Sequence, residues 1–173
     1  MNNPTHYLIF NDDGSSKGVG FTPDGTIPEN GLPCTQEQKD AWQSWANING
    51  TLTAVTPPAP TLSQQAASLL ASGLTITSTS TPELNGTYIV ASGVPFGRED
   101  IANEAQFIST FSEFTNGTTT LDWPLIDGTT FVTFPSTTEF LAFAKAAAQF
   151  YAACSAVKLT NSGTLPSASV TIA

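Results

Sequence analysis

A chain of 173 residues with 40% apolar content is long enough to bury a core, and its five Lys and Arg against fourteen Asp and Glu give a formal charge of −9. That balance opposes a phosphate backbone, and no basic stripe relieves it, so nucleic acid is excluded as a partner. Eighteen consecutive apolar residues occur nowhere, so no membrane insertion is expected, and only 11% of residues are charged, a low-charge, threonine-rich habit common in β-rich extracellular and virion proteins.

From the N-terminus, His6 to Phe10 reads as a short apolar strand, Asn11 to Gly14 as a turn and Gly18 to Thr22 as a return strand. Pro23-Asp24-Gly25 supplies a second turn signal, and the pattern predicts a β-meander. Thr35 and Gln38 form a capping box that opens a helix. This helix is expected to carry Ala41, Trp42 and Trp45 on one face and to end near Asn47 to Gly50. Two tryptophans on so short an element need a partner surface. Tyr7, Ile9 and Phe21 supply part of it, and the remainder of this aromatic surface is expected to face another chain.

Val55 to Pro60, the run VTPPAP, cannot form a helix or a central strand and behaves as a semi-rigid spacer. It divides an N-terminal module, 1–54, from a C-terminal domain, 61–173.

Beyond the spacer, Thr61 and Gln64 cap a helix holding Leu62, Ala66, Leu69 and Leu70, closed by Gly73. Leu74 to Thr79 and Thr87 to Ala91 then form a hairpin through Pro82 and Asn85-Gly86. Arg98 to Phe114 follows as a helix with Glu99 and Asp100 in its first turn and Ile101, Ala105, Ile108 and Phe111 inward, closed by Asn116-Gly117. A second hairpin runs from Thr120–Trp123 to Thr129–Phe134 around Asp127-Gly128. Pro135 stops it, and Ser136 with Glu139 caps a long helix whose stripe is Phe140, Phe143, Ala144, Ala147, Phe150, Tyr151, Cys154 and Val157. Val170-Thr171-Ile172 forms a last strand that pairs either within the chain or with a neighbour. The order helix, hairpin, helix, hairpin, helix predicts an α+β domain with a small antiparallel sheet.

The residues assemble no catalytic set. His6 is the sole histidine and no motif places a nucleophile beside it, so the chain is read as non-enzymatic. Asn11 to Gly14 lacks the alternating ligands of a calcium loop, and Cys34 and Cys154 have no third or fourth partner for zinc, so neither metal nor cofactor is expected. Cys154, on the apolar stripe, reads as a buried free thiol. No glycine-rich phosphate loop is present. Asn49, Asn85 and Asn116 each begin Asn-Gly-Thr, which reads as turn chemistry. The candidate partner-binding residues are therefore Tyr7, Phe21, Trp42, Trp45, Val170 and Ile172.

At Trp123-Pro124, Asp127-Gly128 and FPSTTEF (Phe134 to Phe140), followed by AFAKAAAQFYAA, the chain resembles a group of phage and prophage proteins encoded near tail-fibre genes. Gln64 to Thr79, Leu84 to Tyr88 and Ser162 to Ile172 extend the likeness over roughly residues 61 to 173. The segments YLIFNDDG and CTQEQKDAW look like the short heads of tail-fibre assembly proteins. The resemblance implies a role in the virion as a tail-fibre or baseplate adaptor, made in the bacterial cytoplasm, with other tail or fibre proteins as partners in a homo- or hetero-oligomeric assembly. A transient fibre-assembly chaperone absent from the mature virion is the alternative. A sugar-binding receptor module, stacking glycans on Trp42, Trp45 and Trp123, is a third reading.

Overall fold

A computed structural model describes residues 5–173; the first four residues of the expected 1–54 module lie outside the described residues. Among the described residues the chain is mixed α and β, with four helices and several small sheets, and it divides into two compact units at Ala59 and Pro60.

In the N-terminal unit, strands β1 (Thr5–Phe10), β2 (Ser16–Thr22) and β3 (Gly31–Cys34) form a sheet in the order β2-β1-β3. A meander would place β2 in the middle. Instead β3 returns to the open edge of β1, setting Leu32 opposite Leu8 and Cys34 opposite His6. The Asn30 side chain helps to lock this return by donating to the Phe10 carbonyl at 3.2 Å.

Thr35 and Gln38 do form the capping box, but the helix they open, α1 (Gln36–Asp40), lasts only five residues. Ala41 leaves helical geometry at φ −104°, ψ 34°, a single 3-10 turn follows over Trp42–Ser44, and Trp45 is already extended. Strands β4 (Trp45–Ile48) and β5 (Thr51–Ala54) then make a hairpin where the helix was expected. The reason is local. Ile48, Thr51 and Thr53 favour a pleated backbone, and Asn49 and Gly50, at φ 54° and 80°, supply the two left-handed residues of a tight hairpin turn. The tryptophans thus lie on two different elements.

In the second unit, Thr61 and Gln64 cap α2 (Leu62–Ser72) reciprocally, and Gly73 ends it at φ 82°. A Cβ there would meet the Tyr88 carbonyl oxygen at 2.5 Å, so only glycine lets the chain turn into β6 (Leu74–Ser78). After a 3-10 turn at Pro82–Leu84, β7 (Gly86–Tyr88) pairs antiparallel with β6. Helix α3 (Arg98–Phe111) follows, then the hairpin of β8 (Leu121–Pro124) and β9 (Phe131–Phe134). Helix α4 (Thr137–Thr160) packs against both α2 and α3, and β10 (Ser169–Ile172) pairs parallel with β6, completing a sheet in the order β10-β6-β7.

Helix α4 holds the centre of this unit. Phe140, Phe143, Phe150, Cys154 and Val157 are buried as their spacing predicts, while Tyr151 is half-buried. Ser136 caps the helix one position earlier than a reciprocal box requires: its Oγ accepts from the Thr138 amide and donates to the Glu139 carboxylate. Around the helix Tyr88, Phe134, Phe140 and Phe143 interlock, with Phe134 to Phe140 at 5.0 Å and Tyr88 to Phe143 at 4.6 Å between ring centroids. The Tyr88 hydroxyl donates to the Leu84 carbonyl at 2.6 Å, and burial raises its pKa well above the usual tyrosine range. Helix α4 is also long and apolar enough to cross a bilayer by length and composition, a property that core helices share. Both cysteines are free thiols, Cys154 buried and Cys34 half-buried, and burial raises the pKa of each.

Helix α3 is shorter than expected. Ser112 enters the left-handed region at φ 60°, and buried Glu104 draws the following turn back by accepting from the Thr115 amide at 2.9 Å and its hydroxyl at 2.5 Å. Phe111, expected inward, is 60% exposed and stacks on Phe107 at 4.7 Å.

Candidate interaction surfaces

Of the six residues proposed from sequence, Tyr7, Phe21, Trp42 and Trp45 lie in the N-terminal unit and Val170 and Ile172 in the second. His6 lies opposite Phe21 and Tyr7 opposite Gly20, so strand alternation sends Tyr7 and Phe21 to opposite faces of the sheet. The Tyr7 ring covers Gly20, where a Cβ would meet its Cζ at 2.2 Å. Phe21 is 53% exposed and leans on the His6 ring at 5.2 Å. Trp42 and Trp45 are half-buried on separate elements. In the second unit, β10 pairs with β6 of its own chain, and Ile172 is buried against the core with Val170 packed beside it. Ile172 is thus covered by its own chain, while Val170 stays half-buried.

Trp123 is interior as well. It is 4% exposed, with Phe96 and Phe140 edge-on at 5.4 Å and 5.2 Å, so it offers no face for a sugar ring. Its Nε1 hydrogen has no acceptor within the protein among the described residues.

The second unit also has a concave surface that the sequence reading did not anticipate. A groove of about 530 Å³ runs between α3 and α4. Its floor is Val90, Ile101, Ala105, Ala144 and Ala147, and Ala102, Ala148 and Ala152 line it further. Arg98 lies over the Tyr151 ring at 4.7 Å, and the groove reaches from there to Ser109 on α3 and Leu141 on α4, so the two helices run antiparallel along it. Gln106, Ser109 and Lys145 supply its other polar groups.

Charge in the groove departs from the rest of the chain. Arg98 and Lys145, two of the five basic residues, line it, and none of the fourteen acidic residues does. Arg98 has one ion pair, an exposed contact with Glu99 at 3.4 Å. The Glu99 carboxylate is held mainly by Ser92, whose hydroxyl donates at 2.5 Å, and by the Gly93 amide at 3.0 Å; these bonds and the weaker pull of Arg98 lower its pKa. Among the described residues Lys145 has no carboxylate within ion-pair distance. The signal for this groove was present in the sequence as alanines at positions 102, 105, 144 and 148, but only the crossing of the two helices brings them together.

No protein-family model, curated protein or solved structure matches this chain.

Proposed function

We propose that this chain is a non-enzymatic adaptor of a bacteriophage tail, joining fibre or baseplate components through separate surfaces on its two units. The observation that carries the adaptor reading is the division into two compact units within an exposed proline-rich segment, Val55 to Pro60. Each unit keeps its own core, with Leu8 and Phe10 buried in the first and the aromatic cluster around α4 in the second. Each also leaves apolar side chains at its surface, Phe21 and Ile48 in the first and Phe111 and Phe131 in the second. The tail assignment rests on the resemblance of residues 61–173 to proteins encoded near tail-fibre genes.

Mass spectrometry of purified phage particles tests this reading. The adaptor is expected in intact virions at a fixed ratio to fibre or baseplate proteins. Absence from mature particles, with presence in infected-cell complexes, would instead establish the assembly-chaperone role.

A further inference from the structure

We propose that the α3–α4 groove is a docking site for one amphipathic helix of a partner protein, carrying two carboxylates that flank a ridge of small apolar side chains. The inference rests on the adaptor reading in requiring a partner. Its chemistry follows from the groove itself. Antiparallel helices whose facing residues are largely alanine leave a shallow trough into which the ridge of a third helix fits, because small side chains let backbones approach closely. An apolar floor needs an apolar ridge. Charge then fixes what flanks the ridge: the lining holds Arg98 and Lys145 and no acidic residue, in a chain whose charge is −9.

Spacing sets the register. Arg98 lies over Tyr151, and Lys145 leaves α4 six residues earlier, roughly 9 Å along the helix axis. Carboxylates seven residues apart on one face of a partner helix span roughly 10 Å and meet both cations. Lys145 has no competing ion pair among the described residues, and the Arg98 contact with Glu99 is exposed and therefore weak. The surrounding acidic surface repels an anionic partner at long range, so recognition depends on these two cations at short range.

The test uses the full chain and a synthetic helical peptide with two glutamates seven residues apart around alanine and leucine, alongside a second peptide with lysines in their place. Isothermal titration should detect the glutamate peptide, and amide shift changes should centre on Ala102, Ala105, Ala144 and Ala148. Lys145→Glu should weaken the glutamate peptide at least tenfold and restore binding to the lysine peptide. Ala148→Trp, at an exposed position, should abolish both. Equal binding of the two peptides, indifference to both substitutions, shift changes elsewhere, or no binding would overturn the proposal. A dimer that dissociates on Ala148→Trp would do so too, by assigning the groove to a second copy of this chain. Particle mass spectrometry reads the adaptor role separately, so a virion protein whose groove ignores the peptide refutes this site alone.

Discussion

Asp127 organises the turn between β8 and β9 through three hydrogen bonds to two threonines. Its carboxylate accepts from the Thr130 hydroxyl at 2.6 Å, the Thr130 amide at 2.8 Å and the Thr129 amide at 2.9 Å. These bonds, the Thr130 hydroxyl foremost, lower its pKa from 3.8 to about 2. Because the folded value is depressed, the stabilisation is complete above the unfolded value and is lost as pH falls through the folded one. The expected outcome is that wild type is more stable than Asp127→Asn at pH 6, and that this advantage shrinks between pH 4 and pH 2. Urea titrations at several pH values check it, and a constant difference across that range would refute it. Asp127-Gly128 was legible as a turn because aspartate caps backbone amides two and three residues on. The pKa depression was not, since it depends on where the Thr130 hydroxyl points.

At the scale of elements, local signals fared best where a cap and a periodic stripe agreed. Thr61 with Gln64 and the stripe of α4 placed two helices from sequence because both depend on residues within a turn or two. The stripe also carries a prediction. Phe143 is fully buried between Tyr88, Phe134 and Phe140, so Phe143→Ala should cost on the order of 3 to 5 kcal/mol. Denaturant unfolding of the full chain measures it, and an unchanged midpoint would show that the site collapses without loss. The segment from Gln36 to Ala54 misled because Ala41, Trp42 and Trp45 carry helical spacing while Asn49-Gly50 centres a hairpin. The glycine-containing turn prevailed, since two left-handed residues set strand register directly. Strand order was beyond local reading: β3 beside β1, and β10 beside β6, are pairings between distant residues. The α3–α4 groove belongs to the same class.

On the scale of the whole molecule, the proline-rich segment separates two units with cores of their own. Residues from Ala54 to Thr61 are all exposed, whereas buried side chains occur in the elements before and after them. Brief digestion with proteinase K should therefore cut first between residues 54 and 61 and leave two resistant fragments. Intact-mass analysis identifies the first cut, and early cleavage within α2 or β1 would contradict the division.

The parallel pairing of β10 with β6 also joins the two ends of the second unit's chain. Ser169 aligns with Thr75 and Ile172 with Ser78, so partners in one sheet lie 94 residues apart in the chain. While a ribosome is still translating α4, β6 has no neighbour on that side, and the pocket that Ile172 fills stays open to solvent. The N-terminal unit needs no such delay, since its strands all precede Val55. All residues of the N-terminal unit thus leave the ribosome long before β10, the strand that completes the sheet of the second unit, has been made.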